Sequence, residues 1–163
     1  MYINEAMSTQ VKTCHSDSNL EDVARLMWDN DCGAIPVVNA ENKPVGIVTD
    51  RDITMAAMLN HQPLWHLQAA QVVQGQRLCC CHQEEALESG ITAMEQNGVR
   101  RLLVTNEDGS LAGILSMGDA LAFARSTAGA GGKPGAVDLR KVLGMLQKVS
   151  AHHEQGQKPL VSA

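Results

Sequence analysis

The sequence predicts an α/β fold of the α+β type, built from two β-α-β-β-α units that form a pseudo-two-fold pair, plus a C-terminal helix. The main observation is an internal repeat, in which residues 11–58 align without a gap on residues 78–125, an offset of 67 positions. Identical pairs include Cys14/Cys81, Gly46/Gly113, Ile47/Ile114 and Asp52/Asp119. Because two copies are too few for a solenoid, we expect each copy to bury its apolar face against the other, which creates two equivalent clefts.

Length and charge narrow the class of protein. The chain has 163 residues, enough for one ordinary core, whereas each copy alone would be marginal. The net charge is −5 and there is no Lys/Arg-rich run, which argues against a nucleic-acid or anionic-membrane binder. No apolar run approaches the about 20 residues of a membrane span, and the N-terminus lacks the pattern of a signal peptide. We therefore expect a cytoplasmic protein that neither inserts into membranes nor binds nucleic acid.

Hydrophobic periodicity gives the same order of elements in both copies. The first copy is predicted to contain a strand at 11–14, a helix from a capping box at 18–21 to about Asn30, strands at 35–38 and 45–48, and a helix at 50–60. The second is predicted to contain a strand at 78–81, a helix at Leu87–Asn97, strands at 102–105 and 112–115, and a helix at 118–125. Pro63 breaks the segment between the copies, and residues 64–73 are predicted to form a short connecting helix.

The chain changes character after Arg125. Residues 126–135 are rich in Gly and small residues and predict a flexible linker. An apolar helical stripe follows, consisting of Leu139, Val142, Leu143, Leu146 and Val149. That helix packs on its own domain or a sister subunit, or else docks on a different protein. The predicted units are repeat one at 1–61, repeat two at 62–125, the linker at 126–136, the helix at 137–151 and a polar tail at 152–163.

The five cysteines show no disulfide framework, so reduced thiols are the simplest interpretation. Cys14-His15 and Cys81-His82 raise the possibility of zinc, but two pairs of ligands spaced two to four residues apart are missing. Both cysteines fall at equivalent places on predicted strands, where Cys serves as a small buried hydrophobe. We expect no metal site and no required cofactor.

The polar signal lies where each second hairpin strand runs into its helix, at residues 46–52 and 113–119. Both segments read Gly, two apolar residues, Thr or Ser, two variable residues and Asp. A hydroxyl at the N-cap with Asp in the first turn stabilises any helix by about 1 kcal/mol. The same geometry suits a nucleotide, because free N–H groups favour a phosphate and the carboxylate accepts from ribose hydroxyls. Capping alone does not predict the motif twice at one offset.

From about Met7 to Arg125 the chain resembles paired CBS domains, the Bateman module. The specific marks are the segments 46–52 and 113–119, with Ile53, and the runs 33–38 and 99–104. The resemblance implies a regulatory protein, not an enzyme, that binds an adenosine-containing ligand such as AMP, ADP, ATP or S-adenosylmethionine and signals to a protein target. It also suggests a homodimer through the second helix of each repeat, where apolar residues exceed the needs of a small core: Met55, Met58, Leu59, Leu121, Ala122 and Phe123.

The resemblance further implies that each cleft is shared between the copies. Cleft one would combine Thr49, Arg51 and Asp52 with Leu78, Cys80, Arg100, Arg101 and Leu102. Cleft two would combine Ser116 and Asp119 with Val11, Thr13, Ala34, Ile35 and Pro36. Guanidinium suits phosphate by geometry, and the counterparts of the two arginines are Gly33 and Ala34, so cleft one is the predicted phosphate site. The alternative interpretation of the arginines is a solvated strand end.

Three functions therefore compete at this stage. The first is an adenine-nucleotide sensor that passes a change of shape or assembly to a partner. The second is a dimerisation or interaction module with vestigial clefts. An enzyme is poorly supported, because the sequence suggests no nucleophile or carboxylate dyad.

Overall fold

The structure is a computed structural model that describes residues 1–128 and 139–150. Its α-helices are α1 (Leu20–Asp29), α2 (Asp50–Asn60), α3 (Ala69–Val73), α4 (Leu87–Asn97), α5 (Met117–Ala128) and α6 (Leu139–Ser150). Its strands are β1 (Ala34–Val38), β2 (Pro44–Thr49), β3 (Cys80–His82), β4 (Arg101–Thr105) and β5 (Leu111–Ser116). Short 3-10 helices occupy Ile3–Glu5 and Leu64–His66. The predicted polar tail and most of the predicted linker lie outside the described residues.

Two small sheets carry the repeats. β1 and β2 form an antiparallel hairpin, whereas β3 runs parallel to β4, which pairs antiparallel with β5. The open ends of the two hairpins pair Ala34 with Thr49 and Arg101 with Ser116. These pairs are equivalent in the repeat, so the hairpin register places Thr49 and Ser116 at the same point, immediately before α2 and α5. The predicted fold class and repeated architecture are confirmed.

The predicted strand at residues 11–14 is wrong in extent. Only a parallel bridge remains, in which Cys14 N donates to Pro36 O at 3.0 Å and Val38 N donates to Cys14 O at 2.9 Å. The equivalent β3 is a strand of three residues. The first repeat therefore keeps the order of the second, with its first strand reduced to one residue.

Three helix boundaries also differ from the sequence-based predictions. Asn19, not Ser18, caps α1, because its side chain accepts from Asp22 N at 2.9 Å. The connecting segment forms the 3-10 helix and α3 instead of one helix. α5 continues to Ala128, so the first residues of the predicted linker are helical.

Each sheet is covered by helices that enclose an apolar core. Core one is formed by the first repeat and the connecting segment and contains Cys14, Leu20, Val23, Met27, Ile35, Val37, Val48, Ile53, Leu67 and Ala69. Core two contains Ile3, Cys81, Leu87, Ile91, Met94, Leu102, Val104, Leu115, Ala120, Ala124, Val142, Met145 and Val149. Within the described ranges, no helix has the length and apolar character needed to span a bilayer.

The N-terminal segment packs on the second repeat. Ile3 is fully buried in core two, and its backbone N–H donates to Glu85 O at 2.9 Å. Ser8 and Ile114 exchange two backbone hydrogen bonds of 2.9 and 3.0 Å along the edge of β5. The start of the predicted first repeat therefore packs on the second repeat.

A reciprocal contact closes the edge of β2. The side-chain amide of Gln76 donates to Ile47 O at 2.9 Å and accepts from Ile47 N at 3.0 Å, as a neighbouring strand would. Ile47 and Ile114 are equivalent residues, so the segment before each repeat crosses to the other repeat. The crossing requires glycine at 113, because a Cβ there would lie 2.5 Å from Ser8 O.

The C-terminal helix packs on its own chain. Val142, Met145 and Val149 of α6 are buried in core two, and Lys141 and Lys148 lie 3.9 and 3.6 Å from carboxylates of α4. The predicted stripe was partly wrong: Leu143 is 49% exposed, whereas the unpredicted Met145 is fully buried. Positions 142, 145, 146 and 149 follow the spacing of a single helical face, and Leu143 falls outside it.

Candidate functional site

The repeated motif forms a capping box at the start of α2. Thr49 donates through both its backbone N–H, at 3.0 Å, and its hydroxyl, at 2.7 Å, to Oδ2 of Asp52. In return, Asp52 N donates to Thr49 Oγ1 at 3.2 Å. The hydroxyl and the carboxylate are thus held rigidly at the helix N-terminus, as the sequence predicts.

Ser116 and Asp119 repeat this arrangement bond for bond at the start of α5. The corresponding distances are 2.8 Å from Ser116 N to Asp119 Oδ2, 2.6 Å from the hydroxyl to Oδ2, and 3.1 Å from Asp119 N to Ser116 Oγ. In both motifs a single oxygen, Oδ2, accepts the two internal bonds. The other carboxylate oxygen, Oδ1, takes no part in the capping box.

The two outward oxygens are not equivalent. Ser8 Oγ donates to Asp119 Oδ1 at 3.4 Å, whereas Asp52 Oδ1 accepts no hydrogen bond from the described residues. At the repeat offset, the counterpart of Ser8 is Gly75, which has no hydroxyl. Ser8 was missed at the sequence level because it precedes the aligned repeat, although the same offset extended backwards exposes the difference.

The backbone N–H groups at the start of α2, predicted to be free, all donate hydrogen bonds within the protein. Asp50 N donates to Gly33 O at 3.3 Å, and Arg51 N donates to the side chain of Asp50 at 2.7 Å. Asp52 N is taken by Thr49, as described above. At the start of α5, Met117 N donates to Arg100 O at 3.0 Å, but Gly118 N has no partner among the described residues.

Arg101 reaches the first repeat as predicted for cleft one. In β4 it shares a face with Leu103, opposite to Leu102 and Val104, which point into core two. Its Nη2 lies 3.7 Å from the point that a Cβ would occupy at Gly33. This guanidinium therefore lies close to the start of α2.

Arg100 is directed elsewhere. Its Nε donates to Val149 O in the last turn of α6 at 3.3 Å. A cation beside a helix C-terminus is favoured by the helix dipole. The structure thus does not bring Arg100 together with Thr49 and Asp52.

Two further predicted cleft residues are core residues. Leu102 is 1% exposed in core two, and its equivalent Ile35 is 0% exposed in core one. The remaining predicted cleft residues differ in burial. Ala34 and Pro36 are buried but are not part of core one. Val11, Thr13 and Leu78 are half-buried, and Cys80 and Arg51 are exposed.

The cysteines are free thiols. Burial raises the pKa of Cys14 to about 11, and burial with the nearby Glu85 and Cys80 raises the pKa of Cys81 to about 12. Burial and Cys79 also raise the pKa of Cys80. Protonated thiols are poor metal ligands. Among the described residues no cluster of three or more His, Cys, Asp or Glu side chains could hold a metal ion.

The CBS domain family profile matches residues 3–59 and 77–126, which is more than half of the sequence. The chain therefore belongs to the CBS domain family. It is 29% identical over 121 residues to the CBS domain-containing protein YhcV of Bacillus subtilis, covering 72% of this chain and 81% of YhcV. It is also 29% identical over 114 residues to homoserine O-acetyltransferase of Methanohalophilus mahii, but spans only 22% of that enzyme.

Solved structures show the same fold. The CBS domain protein PAE2072 from Pyrobaculum aerophilum, complexed with AMP, matches with a TM-score of 0.68 at 20% identity, over 80% of this chain and 97% of that one. The CBS domain pair of MJ0100, in complex with 5-methylthioadenosine and S-adenosyl-L-methionine, matches with a TM-score of 0.64 at 19% identity. The match covers 80% of this chain and 98% of that one. Hypoxic Response Protein I, with two coordinated zinc ions, matches with a TM-score of 0.66 at 23% identity. The match covers 73% of this chain and 95% of that one.

Proposed function

We propose that this chain is a regulatory module that binds an adenosine-containing ligand, such as AMP, ADP, ATP or S-adenosylmethionine, between its repeats and passes the signal to a protein target. The observation that carries the proposal is the twice-built pairing of a hydroxyl and a carboxylate, Thr49 with Asp52 and Ser116 with Asp119. The AMP and S-adenosylmethionine complexes of PAE2072 and MJ0100 support this ligand class. The role is binding rather than catalysis, and it needs no metal or resident cofactor.

Cleft one is the better candidate for a nucleotide. No residue in the described part of the chain donates to its Asp52 Oδ1, which can therefore accept from a ribose hydroxyl, and Arg101 provides a guanidinium for phosphate. Cleft two provides the same carboxylate, but Ser8 already donates to it and Ala34 stands where cleft one has Arg101. We therefore expect unequal affinities in the two clefts.

A thermal-shift screen against adenosine, AMP, ADP, ATP and S-adenosylmethionine tests the proposal. A ligand present at 100 times its dissociation constant is expected to add about 2.7 kcal/mol to the free energy of unfolding, a readily measured shift. Guanosine and GMP serve as controls and should produce much smaller shifts. If millimolar concentrations of every adenosine ligand leave the melting temperature unchanged, the sensor function is rejected.

We also propose a homodimer in which α2 meets its equivalent in a second copy. Met55, Met58 and Leu59 are 36%, 50% and 63% exposed on that helix. The contribution predicted for α5 is smaller, because Leu121 and Phe123 pack against core two. This surface would also serve the alternative function, a dimerisation module with vestigial clefts.

Changing Leu59 to Glu is expected to convert the dimer to a monomer, because a symmetric contact places the introduced charge in the interface twice. Light scattering at micromolar concentration measures the mass directly. Leu143→Glu is the matched control, since Leu143 is 49% exposed on α6, and this variant should stay dimeric. A monomeric parent protein would contradict the dimer.

A further inference from the structure

The carboxylate of Asp50 occupies the N-terminus of α2. Its Oδ1 accepts from Arg51 N at 2.7 Å, and its Oδ2 lies 3.2 Å from the point that a Cβ would occupy at Gly33. Helix N-termini attract anions through free N–H groups and the helix dipole. In cleft one, this anion position is already filled by a side chain of the protein.

The same carboxylate stands beside the predicted phosphate-binding arginine. Arg101 Nη2 lies 3.7 Å from the same Gly33 point that Asp50 Oδ2 approaches. The negative charge of Asp50 therefore offsets part of the positive potential that Arg101 contributes to this end of the cleft. The Asp50 carboxylate thus accepts from the helix N-terminus and lies near the guanidinium, without forming an ion pair with it within 4.0 Å.

Cleft two lacks this feature. The repeat offset places Met117 where cleft one has Asp50, and the following N–H, that of Gly118, has no partner among the described residues. The capping boxes themselves match bond for bond, so the carboxylate at the first helical position is an added feature of cleft one. The capping box alone does not account for it.

We propose that Asp50 is a specificity-determining residue of cleft one, whose negative charge opposes Arg101 and so lowers the affinity for adenosine-containing ligands that carry a phosphate relative to those that do not. This inference rests on the proposed function. A phosphate that enters between α2 and Arg101 must either displace the Asp50 carboxylate from Arg51 N–H or lie next to its negative charge. An uncharged nucleoside meets neither obstacle, because its ribose binds at Asp52.

Calorimetry with AMP and with adenosine tests the inference on the full chain. Asp50→Asn keeps the size of the side chain and removes its charge, so AMP is expected to bind about five- to thirtyfold more tightly. The affinity for adenosine should change by less than about twofold, since it has no charge to repel. Arg101→Ala should act in the opposite direction, weakening AMP and leaving adenosine nearly untouched.

Glu107→Gln is the matched control for loss of one negative charge. Glu107 is exposed in the turn between β4 and β5, at the opposite end of the hairpin from Arg101. Its replacement should therefore leave the affinities for AMP and adenosine unchanged. Melting temperatures show whether each variant is folded. If Asp50→Asn does not fold, Asp50→Ser is measured in its place. An unchanged ratio of AMP to adenosine affinity in a protein that binds both overturns the inference alone. Failure of every variant to bind either ligand overturns the proposed function together with it.

Discussion

Replacing Ile3 by Ala is expected to lower the free energy of unfolding by about 2–5 kcal/mol, the range observed when a buried Ile is cut to Ala. Ile3, the third residue of the sequence, is fully buried in core two. Its Cδ1 lies 3.2 Å from the point that a Cβ would occupy at Gly90, so Ile3 packs where α4 has a glycine. The variant would leave a cavity between the N-terminal segment and α4.

Urea unfolding followed by circular dichroism measures this loss. Tyr2→Ala is the matched control, because Tyr2 is the preceding residue and its side chain is 56% exposed. Its effect should stay within about 0.5 kcal/mol, as for ordinary surface substitutions. Equal, small losses for both variants would show that the N-terminal segment is not part of core two.

The importance of Ile3 also shows where sequence-based prediction stops. Nothing local distinguishes Ile3 from an ordinary exposed residue, because it is buried in core two, whose members Leu87 and Ile91 lie more than 80 positions away. Gln76 is a similar case, since its pairing with Ile47 imitates a strand that the sequence pattern does not contain. Contacts of this kind depend on how the two repeats cross, which is a property of the assembled fold.

Features encoded locally were predicted well. The two hairpins, α2 and α4 follow from β-branched runs, helical spacing and turn residues, and the capping boxes at Thr49 and Ser116 follow from a short motif. The fold class and the family follow from the repeat of these local features. The strand at residues 11–14 was overestimated because four residues of extended sequence do not reveal how many of them find a partner.

Part of the error in the cleft assignments was avoidable. Neighbouring residues of a strand point to opposite faces, so Arg101 and Leu102 cannot line the same cleft. The same rule separates Ile35 from Ala34 and Pro36. Arg100 could not have been placed this way, because its guanidinium is directed by the end of α6, an element that the motif does not include.

Asp52→Ala is expected to weaken binding of both adenosine and AMP by about ten- to a hundredfold, because a charge-assisted hydrogen bond contributes about 1.5–3 kcal/mol. Asp52 Oδ1 accepts no hydrogen bond from the described residues, and we propose it as the acceptor for a ribose hydroxyl. Asp119→Ala should reduce the measured affinity much less, because we propose cleft two as the weaker site.

The two variants control each other for stability. Both remove two internal hydrogen bonds to a carboxylate oxygen, 3.0 and 2.7 Å long at Asp52 and 2.8 and 2.6 Å long at Asp119, and Asp119→Ala also removes the long, exposed 3.4 Å bond from Ser8. Each is therefore expected to lose a similar free energy of unfolding, about 1–3 kcal/mol. Since a loss of folding would affect both alike, calorimetry with adenosine isolates the contribution of each carboxylate to binding. If Asp119→Ala abolishes binding and Asp52→Ala leaves it intact, cleft two is the principal site and the roles proposed for Arg101 and Asp50 fall with the assignment.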